Sequence, residues 1–225
     1  MNFILDSIPA DEVLRYLGCK KQNDDIRTLV EICSAELLAA VAPRRLYRVF
    51  DITPAVDGNG IALANCDFVL PGNDISALLK DCKHAVLFCV TLSSGIDNLL
   101  RRAQLTDMSR GVVLDSCAST AVEVLCNHVE AEIKSQFSGC YFTTRYSPGY
   151  GDLPLTIQKD FVQLLDAPRK IGVCVTESSI LTPRKSVTAV IGISDHPIKQ
   201  QKQSCETCNM REECAYRKRE EYCGL

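Results

Sequence analysis

The stretch DMSRGVVLDSCASTAVEVLCNHVEAEIKSQ (residues 107–136) contains the longest run of helical periodicity in the chain. Apolar and small side chains recur in it at every third or fourth position, which places them along one side of an α-helix. These side chains are Leu114, Cys117, Ala121, Leu125, Val129 and Ile133. The stretch therefore predicts a long helix whose apolar seam is packed against the rest of the protein.

A polar stripe runs along another side of the same predicted helix. Its members, four residues apart, are Asp115, Ser119, Glu123 and Asn127. Residues at this spacing stack on one face of a helix. The simplest interpretation of such a stripe is a solvated surface.

Outward from this helix, the run HAVLFCVTL (residues 84–92) is almost wholly apolar and predicts a buried central strand. Further upstream the pattern predicts a helix at 24–41, a β-hairpin of 46–53 and 61–70 around a turn at 57–60, and a short helix at 74–82. Downstream it predicts a strand at 140–145, a short helix at 156–165, and strands at 171–176 and 186–193. Strands and helices do not alternate strictly, so we expect a mixed α+β domain and not a doubly wound parallel sheet.

The composition bounds the class of protein and its partners. A chain of 225 residues with 46% hydrophobic content can bury one substantial core. Its 25 Lys and Arg residues nearly balance 28 Asp and Glu residues, so net charge favours neither nucleic acid nor an anionic membrane. The N-terminus lacks an export signal, and no apolar run approaches the ~20 residues of a membrane span. We therefore expect a cytoplasmic protein with neither nucleic-acid nor membrane partners.

Nine of the thirteen cysteines are scattered among apolar neighbours, where cysteine acts as a small hydrophobic side chain. A chain of this size without an export signal does not need disulfides. We expect the nine to be free thiols that fill space: Cys19, Cys33, Cys66, Cys82, Cys89, Cys117, Cys126, Cys140 and Cys174.

The other four cysteines lie in a polar segment after Asp195-His196-Pro197, and they are Cys205, Cys208, Cys214 and Cys223. Thiolates so close together in a reducing compartment most often share a metal. Four thiolates suit an iron–sulfur cluster or tetrahedral zinc, and the spacing alone does not separate the two. Plain thiols or a disulfide are the simpler alternative. We thus divide the chain into one α+β domain at 1–195 and a Cys-rich metal-binding tail at 196–225.

The segment RYSPGYG (residues 145–151) is typical of a backbone turn that contacts a ligand. Pro148 presets its own φ, and Gly149 can adopt the positive φ that the next position of a type II turn requires. Arg145 offers a planar set of donors to a carboxylate or to ribose hydroxyls, and the tyrosines offer flat faces to a purine. The simpler alternative is a plain turn with Arg145 in a surface ion pair.

Six short motifs occur in order along residues 1–195. They are Ala42-Pro43-Arg44, Asp115-x-x-Ala118, Arg145-x-x-Pro148-Gly149-Tyr150, Leu164-Leu165-Asp166, residues 172–178 (GVCVTES) and Pro183-x-x-Ser186-Val187. In these motifs the chain resembles the activation domain of vitamin B12-dependent methionine synthase, in a stand-alone form. The resemblance implies a curved, mixed or antiparallel sheet with flanking helices, and a shallow groove that binds S-adenosylmethionine without a Rossmann motif.

The resemblance also implies that the turn lines the ligand site, through Arg145, Pro148, Gly149 and Tyr150. Arg145 would hold the carboxylate of the methionine moiety. Tyr150 and the turn backbone would position the sulfonium end.

Three further positions follow from the resemblance. An acidic family residue on the long helix aligns with Ser119, and Glu123, one turn further on, is the candidate to replace it. A family tyrosine on the last strand is replaced by Ile191. Glu177 either supports the ligand or caps loop amides.

The resemblance implies an accessory role in methionine biosynthesis. The chain would bind S-adenosylmethionine and assist the reductive methylation, or reactivation, of cob(II)alamin in a B12-dependent methyltransferase. A corrinoid-binding methyltransferase subunit would supply cobalamin, because no cobalamin-binding motif occurs here. A flavodoxin or ferredoxin, or an iron–sulfur cluster in the tail, would supply the electron. We expect little turnover from the chain alone.

A second hypothesis belongs to a different class. The chain would be a non-enzymatic interaction module that docks on a corrinoid protein, with a structural zinc site in the tail. The presence of Ser119 and Ile191 favours this alternative. A nucleic-acid role is disfavoured, because acidic residues interleave with the basic residues of the tail.

Overall fold

The computed structural model describes residues 5–19, 24–56 and 58–198. Within them, an antiparallel six-stranded sheet lies between two layers of helices. The helices are α1 (Ala10–Tyr16), α2 (Asp24–Ala40), α3 (Asn73–Leu79), α4 (Ser94–Thr106), α5 (Met108–Gln136), α6 (Gln158–Leu164) and α7 (Ala167–Ile171). The strands are β1 (Arg44–Pro54), β2 (Ile61–Leu63), β3 (Val69–Leu70), β4 (His84–Thr91), β5 (Tyr141–Phe142), β6 (Cys174–Val175), β7 (Leu181–Thr182) and β8 (Ser186–Ser194). The expected α+β class is confirmed.

The main sheet has the order β3-β2-β1-β4-β8-β5, and β6 and β7 form a separate hairpin. Strand β4 lies near the middle, between β1 and β8, and its register with β8 runs from His84↔Ile193 to Thr91↔Ser186. The prediction of a buried central strand at 84–92 is confirmed.

Strand β4 contributes to two hydrophobic cores, one on each face of the sheet. Val86, Phe88 and Val90 join the core under α1, α2, α4 and α5. Leu87 and Cys89 join the core that includes α3, α6 and α7. Successive side chains of a strand point to opposite faces, so a strand buried on both faces reads as a continuous apolar run.

Helix α5 is the main element of the first core, and its prediction from the opening stretch is confirmed. The Asp107 side chain accepts a hydrogen bond from the backbone N–H of Arg110 at 3.1 Å and so caps the helix. All members of the apolar seam are 0% exposed. Burial of a leucine of this kind contributes about 1.5–3 kcal/mol, so the seam fixes α5 firmly on the sheet.

Two predicted strands differ from the structure. The strand expected at 171–176 is wrong in its first half, because Ile171 ends α7 and Gly172, with φ 74°, terminates that helix. The stretch 61–70 forms two short strands and not one, since the chain turns through Asn65 with φ 62°.

Three smaller differences concern one helix, one strand and one cysteine. Helix α4 occupies residues for which no element was predicted, although Ile96, Leu99, Leu100 and Ala103 have helical spacing and are buried. Strand β5 covers only two residues of the expected 140–145. All nine scattered cysteines are free, but Cys174 is exposed, so its expected space-filling role is wrong.

Gly192 lies in β8 where the packing leaves no room for a methyl group. A Cβ there would lie 2.5 Å from Cys82 Sγ, 2.6 Å from Leu79 Cδ2 and 2.9 Å from Thr143 Cγ2. We expect Gly192→Ala to lower the free energy of unfolding by about 1–3 kcal/mol in urea denaturation, because packed side chains must move. The double variant Cys82→Ala/Gly192→Ala should recover part of the loss. An unchanged urea midpoint for Gly192→Ala would contradict this account.

Candidate functional site

The polar stripe of α5 is bound by two cationic side chains from elsewhere in the domain. Lys185 contacts the two stripe residues nearer the start of the helix, and Arg145 contacts the two that follow. The interpretation of the stripe as a purely solvated face is therefore wrong. The stripe instead forms one wall of a polar surface that includes the 145–151 turn.

Arg145 makes three hydrogen bonds to α5. Its Nη2 donates to Glu123 Oε2 at 2.7 Å, and its Nη1 donates to Asn127 Oδ1 at 2.6 Å and to Glu130 Oε2 at 3.2 Å. The Arg145 and Glu130 side chains are 26% and 18% exposed, whereas Glu123 is 42% exposed. Burial alone would lower the pKa of Arg145, but Cys126 and the two carboxylates outweigh it and the pKa is raised. Arg145 is therefore a fixed cation whose partners differ in exposure.

Lys185 is a second fixed cation one helical turn away. Its Nζ donates to the Asp115 backbone oxygen at 3.2 Å and to Ser119 Oγ at 2.9 Å, and it lies 3.0 Å from Asp115 Oδ1. The side chain is only 13% exposed. Lys185 was not predicted as a site residue, although it lies within the Pro183-x-x-Ser186 motif. Since three acceptors match its three N–H donors, Lys185 fixes Ser119 in place.

The predicted turn is confirmed. The Tyr150 N–H donates to the Ser147 oxygen at 3.1 Å across Pro148 and Gly149, and Gly149 has φ 95°. This positive φ is the conformation for which glycine is required in a type II turn. Strand β8 also holds the start of the turn, since Tyr146 and Val190 exchange backbone hydrogen bonds of 2.9 and 2.8 Å.

Tyr150 forms the aromatic part of the surface, and the neighbouring Tyr146 packs against the second hydrophobic core. The ring centroids of Tyr146 and Tyr150 are 6.2 Å apart, and Tyr150 is 55% exposed. Burial, then the nearby Glu123 and Tyr16, raise the pKa of Tyr150, so its phenol stays neutral. Tyr150 therefore presents an uncharged face and a hydroxyl beside the Arg145 and Glu123 pair.

This surface can bind a ligand that carries both charges. The exposed Glu123 carboxylate can attract a cationic group, and the Arg145 guanidinium matches the geometry of a carboxylate. The exposed Tyr150 ring can contact a flat ring of the ligand. The arrangement provides binding and orientation, which are the functions that these residue types supply without proton transfer.

The other predicted site residues lie in different surroundings. Glu177 is exposed in the turn between β6 and β7, and within the described residues it has no hydrogen bond or ion pair. Ile191 is 0% exposed in the first hydrophobic core. Glu130 was not predicted, although it lies seven residues after Glu123 and thus on the same face of α5.

The tail cysteines Cys205, Cys208, Cys214 and Cys223 lie outside the described residues, so the metal prediction stays a prediction. In the ranges 5–19, 24–56 and 58–198, no cluster of three or more His, Cys, Asp or Glu side chains could hold a metal ion. Over the same ranges, no helix combines the length and the apolar character of a membrane span.

Comparisons with known proteins identify relatives of this fold and sequence. The family model for the activation domain of vitamin B12-dependent methionine synthase matches residues 7–219. A crystal structure of the MetH reactivation domain bound to AdoHcy superimposes with a TM-score of 0.58 at 16% sequence identity. The match covers 93% of this chain and 77% of that one, and at this identity it shows the fold alone. No curated protein sequence matches the chain.

Proposed function

The chain belongs to the family of vitamin B12-dependent methionine synthase activation domains, and from this premise we propose that it binds S-adenosylmethionine for the reductive methylation of cob(II)alamin. The cobalamin would be held by a separate corrinoid-binding methyltransferase subunit. A flavodoxin or ferredoxin would donate the electron. This accessory role in methionine biosynthesis would take place in the cytoplasm, where thiols stay reduced.

One observation carries the proposal. Arg145, Glu123 and Tyr150 lie together beside the Pro148-Gly149 turn. S-Adenosylmethionine carries a carboxylate, a sulfonium cation and a purine, and this surface offers a chemical partner to each. The solved reactivation domain with AdoHcy, the demethylated form of the same nucleotide, supports this choice of ligand.

We assign each residue a role in binding. Arg145 would give up one of its hydrogen bonds to α5 and bind the carboxylate of the ligand instead. The more exposed acceptor, Glu123, would then turn toward the sulfonium cation. Tyr150 would contact the ligand through its ring. Pro148 and Gly149 would shape the turn so that the backbone can approach the ligand closely.

The chemistry needs little beyond positioning. Cobalamin on the partner, once reduced by one electron, would supply the nucleophile for the methyl group, and S-adenosylhomocysteine would be the leaving group. No general acid or base is required, so the contribution of this chain is to fix the orientation of the donor and to exclude competing acceptors. Used alone, the chain should therefore show little turnover.

We propose that the tail binds an iron–sulfur cluster through Cys205, Cys208, Cys214 and Cys223, with zinc as the alternative. The support is the spacing of four cysteines in a polar segment. A cluster at this place could pass the electron that reductive methylation consumes, whereas zinc would be structural.

A second candidate function is supported by the saturation of Arg145. Since its guanidinium already binds three acceptors, the surface could be a structural network in an interaction module that docks on a corrinoid protein without using the methyl donor. Saturable binding of S-adenosylmethionine in calorimetry separates the two, because only the first function requires it.

Anaerobic reconstitution tests the main proposal. The chain is mixed with a Co(II) corrinoid protein, a chemical reductant and S-adenosylmethionine, and formation of methylcobalamin is followed by its absorption spectrum. We expect methylation only when all components are present, and none when S-adenosylhomocysteine replaces the donor. Methylation at the same rate without the chain would overturn the proposal.

A further inference from the structure

We propose that Asp152 is a positioning residue, which holds the 147–150 turn in its ligand-binding geometry by fastening the turn to the start of α3. This inference rests on the proposed function, because it concerns how the S-adenosylmethionine site is kept in shape. The residues that join the two segments are called the loop clamp: Gly72, Asn73, Asp74, Gly151 and Asp152.

The first half of the loop clamp is the Asp152 carboxylate at the N-terminus of α3. Its Oδ2 accepts a hydrogen bond from the Asn73 N–H at 2.6 Å, and its Oδ1 accepts one from the Asp74 N–H at 3.1 Å. Gly72 makes room for it, since a Cβ at that position would lie 2.4 Å from Asp152 Oδ1. Gly72 also has φ 120°, which disfavours a side chain.

The second half runs in the opposite direction. Asp74 Oδ2 accepts hydrogen bonds from the Asp152 N–H at 3.3 Å and from the Tyr146 hydroxyl at 3.4 Å. A Cβ on Gly151 would lie 2.1 Å from both the Asp74 oxygen and the Tyr146 hydroxyl. Gly151 therefore lets the turn lie directly against the Asp74 side chain. The two aspartates bind each other's segments reciprocally.

The loop clamp connects the turn to a firmly buried element. In α3, Ile75 and Leu79 are 0% and 1% exposed in the second core. The negative charge of Asp152 is stabilised by the backbone N–H groups at the start of the helix. The turn is thus attached to β8 at Tyr146 and to α3 at Asp152. Within the loop, the Gly149 N–H donates to the oxygen of buried Leu153 at 2.8 Å, and the Leu153 N–H donates to the Tyr150 oxygen at 3.0 Å.

This double attachment sets the distance between two proposed ligand contacts. Arg145 immediately precedes the bridge to β8, whereas Tyr150 lies two residues before Asp152. Release of the loop clamp would leave Arg145 in place, whereas the segment that contains Tyr150 would keep its hydrogen bonds to Leu153 but lose its connection to α3 and could shift. Small displacements of binding groups can cost large factors in function, so Asp152 would act on ligand affinity through Tyr150.

The test compares Asp152→Ala and Asp152→Asn with the wild-type chain. Calorimetry should show S-adenosylmethionine binding weakened about tenfold or more in Asp152→Ala, since positioning is lost. Asparagine keeps one acceptor oxygen and the shape of aspartate, so Asp152→Asn should give an intermediate affinity. In amide NMR spectra recorded without ligand, Asn73 and Asp74 should shift together with Gly149 and Gly151.

The matched control is Asp107→Asn, because Asp107 caps α5 in the same manner but lies away from the turn. Wild-type affinity in this control, with the graded loss at position 152, supports the inference. Wild-type affinity in Asp152→Ala, or an equal loss in Asp107→Asn, overturns it and leaves the proposed function intact. Absence of saturable binding in the wild-type chain overturns the proposed function and, with it, this inference. If Asp152→Ala does not fold, Asp152→Asn decides between these outcomes.

Discussion

Replacement of Arg145 by alanine is expected to weaken S-adenosylmethionine binding by about 100-fold, which corresponds to two charge-assisted hydrogen bonds to the ligand carboxylate. Two effects act in the same direction. The variant loses the cation that would bind the carboxylate. It also leaves the carboxylates of Glu123 and Glu130 without the cation that they share. Their negative charges would then repel the carboxylate of the ligand.

Arg45→Ala is the matched control for this prediction. Arg45, in β1, also forms an ion pair with α5: it lies 2.6 Å from Glu132, and the two side chains are 18% and 27% exposed. Its loss should affect stability about as much as the loss of Arg145, and it should leave the affinity unchanged. Calorimetry gives the affinity and thermal denaturation gives the stability. Equal affinity in Arg145→Ala and wild type would reject the assigned role of Arg145 and favour the interaction module.

The second large effect is expected in the tail. Purified without oxygen, the wild-type chain should contain iron and sulfide and absorb broadly near ~400 nm, as thiolate-bound iron–sulfur clusters do. The double variant Cys205→Ser/Cys208→Ser should lose the metal almost completely, because two of four thiolate ligands are removed. The measurements are elemental analysis and the absorption spectrum.

Cys174→Ser controls for non-specific metal uptake, since Cys174 is an exposed free thiol of the folded domain. This variant should keep the full metal content. If the chain contains zinc in place of iron, the metal in the tail is structural, and the electron must come from an external donor. A wild-type chain with neither metal would contradict the metal-binding tail altogether.

The fold was predictable wherever burial leaves a clear period in the sequence. Helix α5 has a seam that is buried along its whole length, and β4 is buried on both faces, so each pattern is strong. Helix α7 shows why other elements are harder to predict. This helix has only five residues (167–171), and the apolar residues Ile171 and Val173 are typical of the start of a strand. Only Pro168 near the helix start and the left-handed Gly172 separate the two interpretations.

The candidate site was partly predictable. The Pro148-Gly149 turn follows from local backbone preferences, and the spacing of Glu123 and Asn127 places them on one helix face. Arg145 binds both residues because α5 crosses the turn at this place. This is a tertiary relationship, and residue spacing does not encode it. The same reason applies to Lys185 and to Asp152, whose partners are 66 and 79 residues away.

Strand β8 connects the 145–151 turn to the sequence that precedes the tail. Val190, which is bonded to Tyr146, lies only five positions before Asp195, a span of about 17 Å in an extended strand. Cys205, the first cysteine of the proposed cluster, follows Asp195 by ten positions in the sequence, so a cluster bound there would be tethered to the turn through β8, and the length of this connection would set its effective concentration near the methyl donor. Lengthening the segment after Asp195 with flexible residues would then slow reactivation gradually, while nucleotide affinity stayed constant.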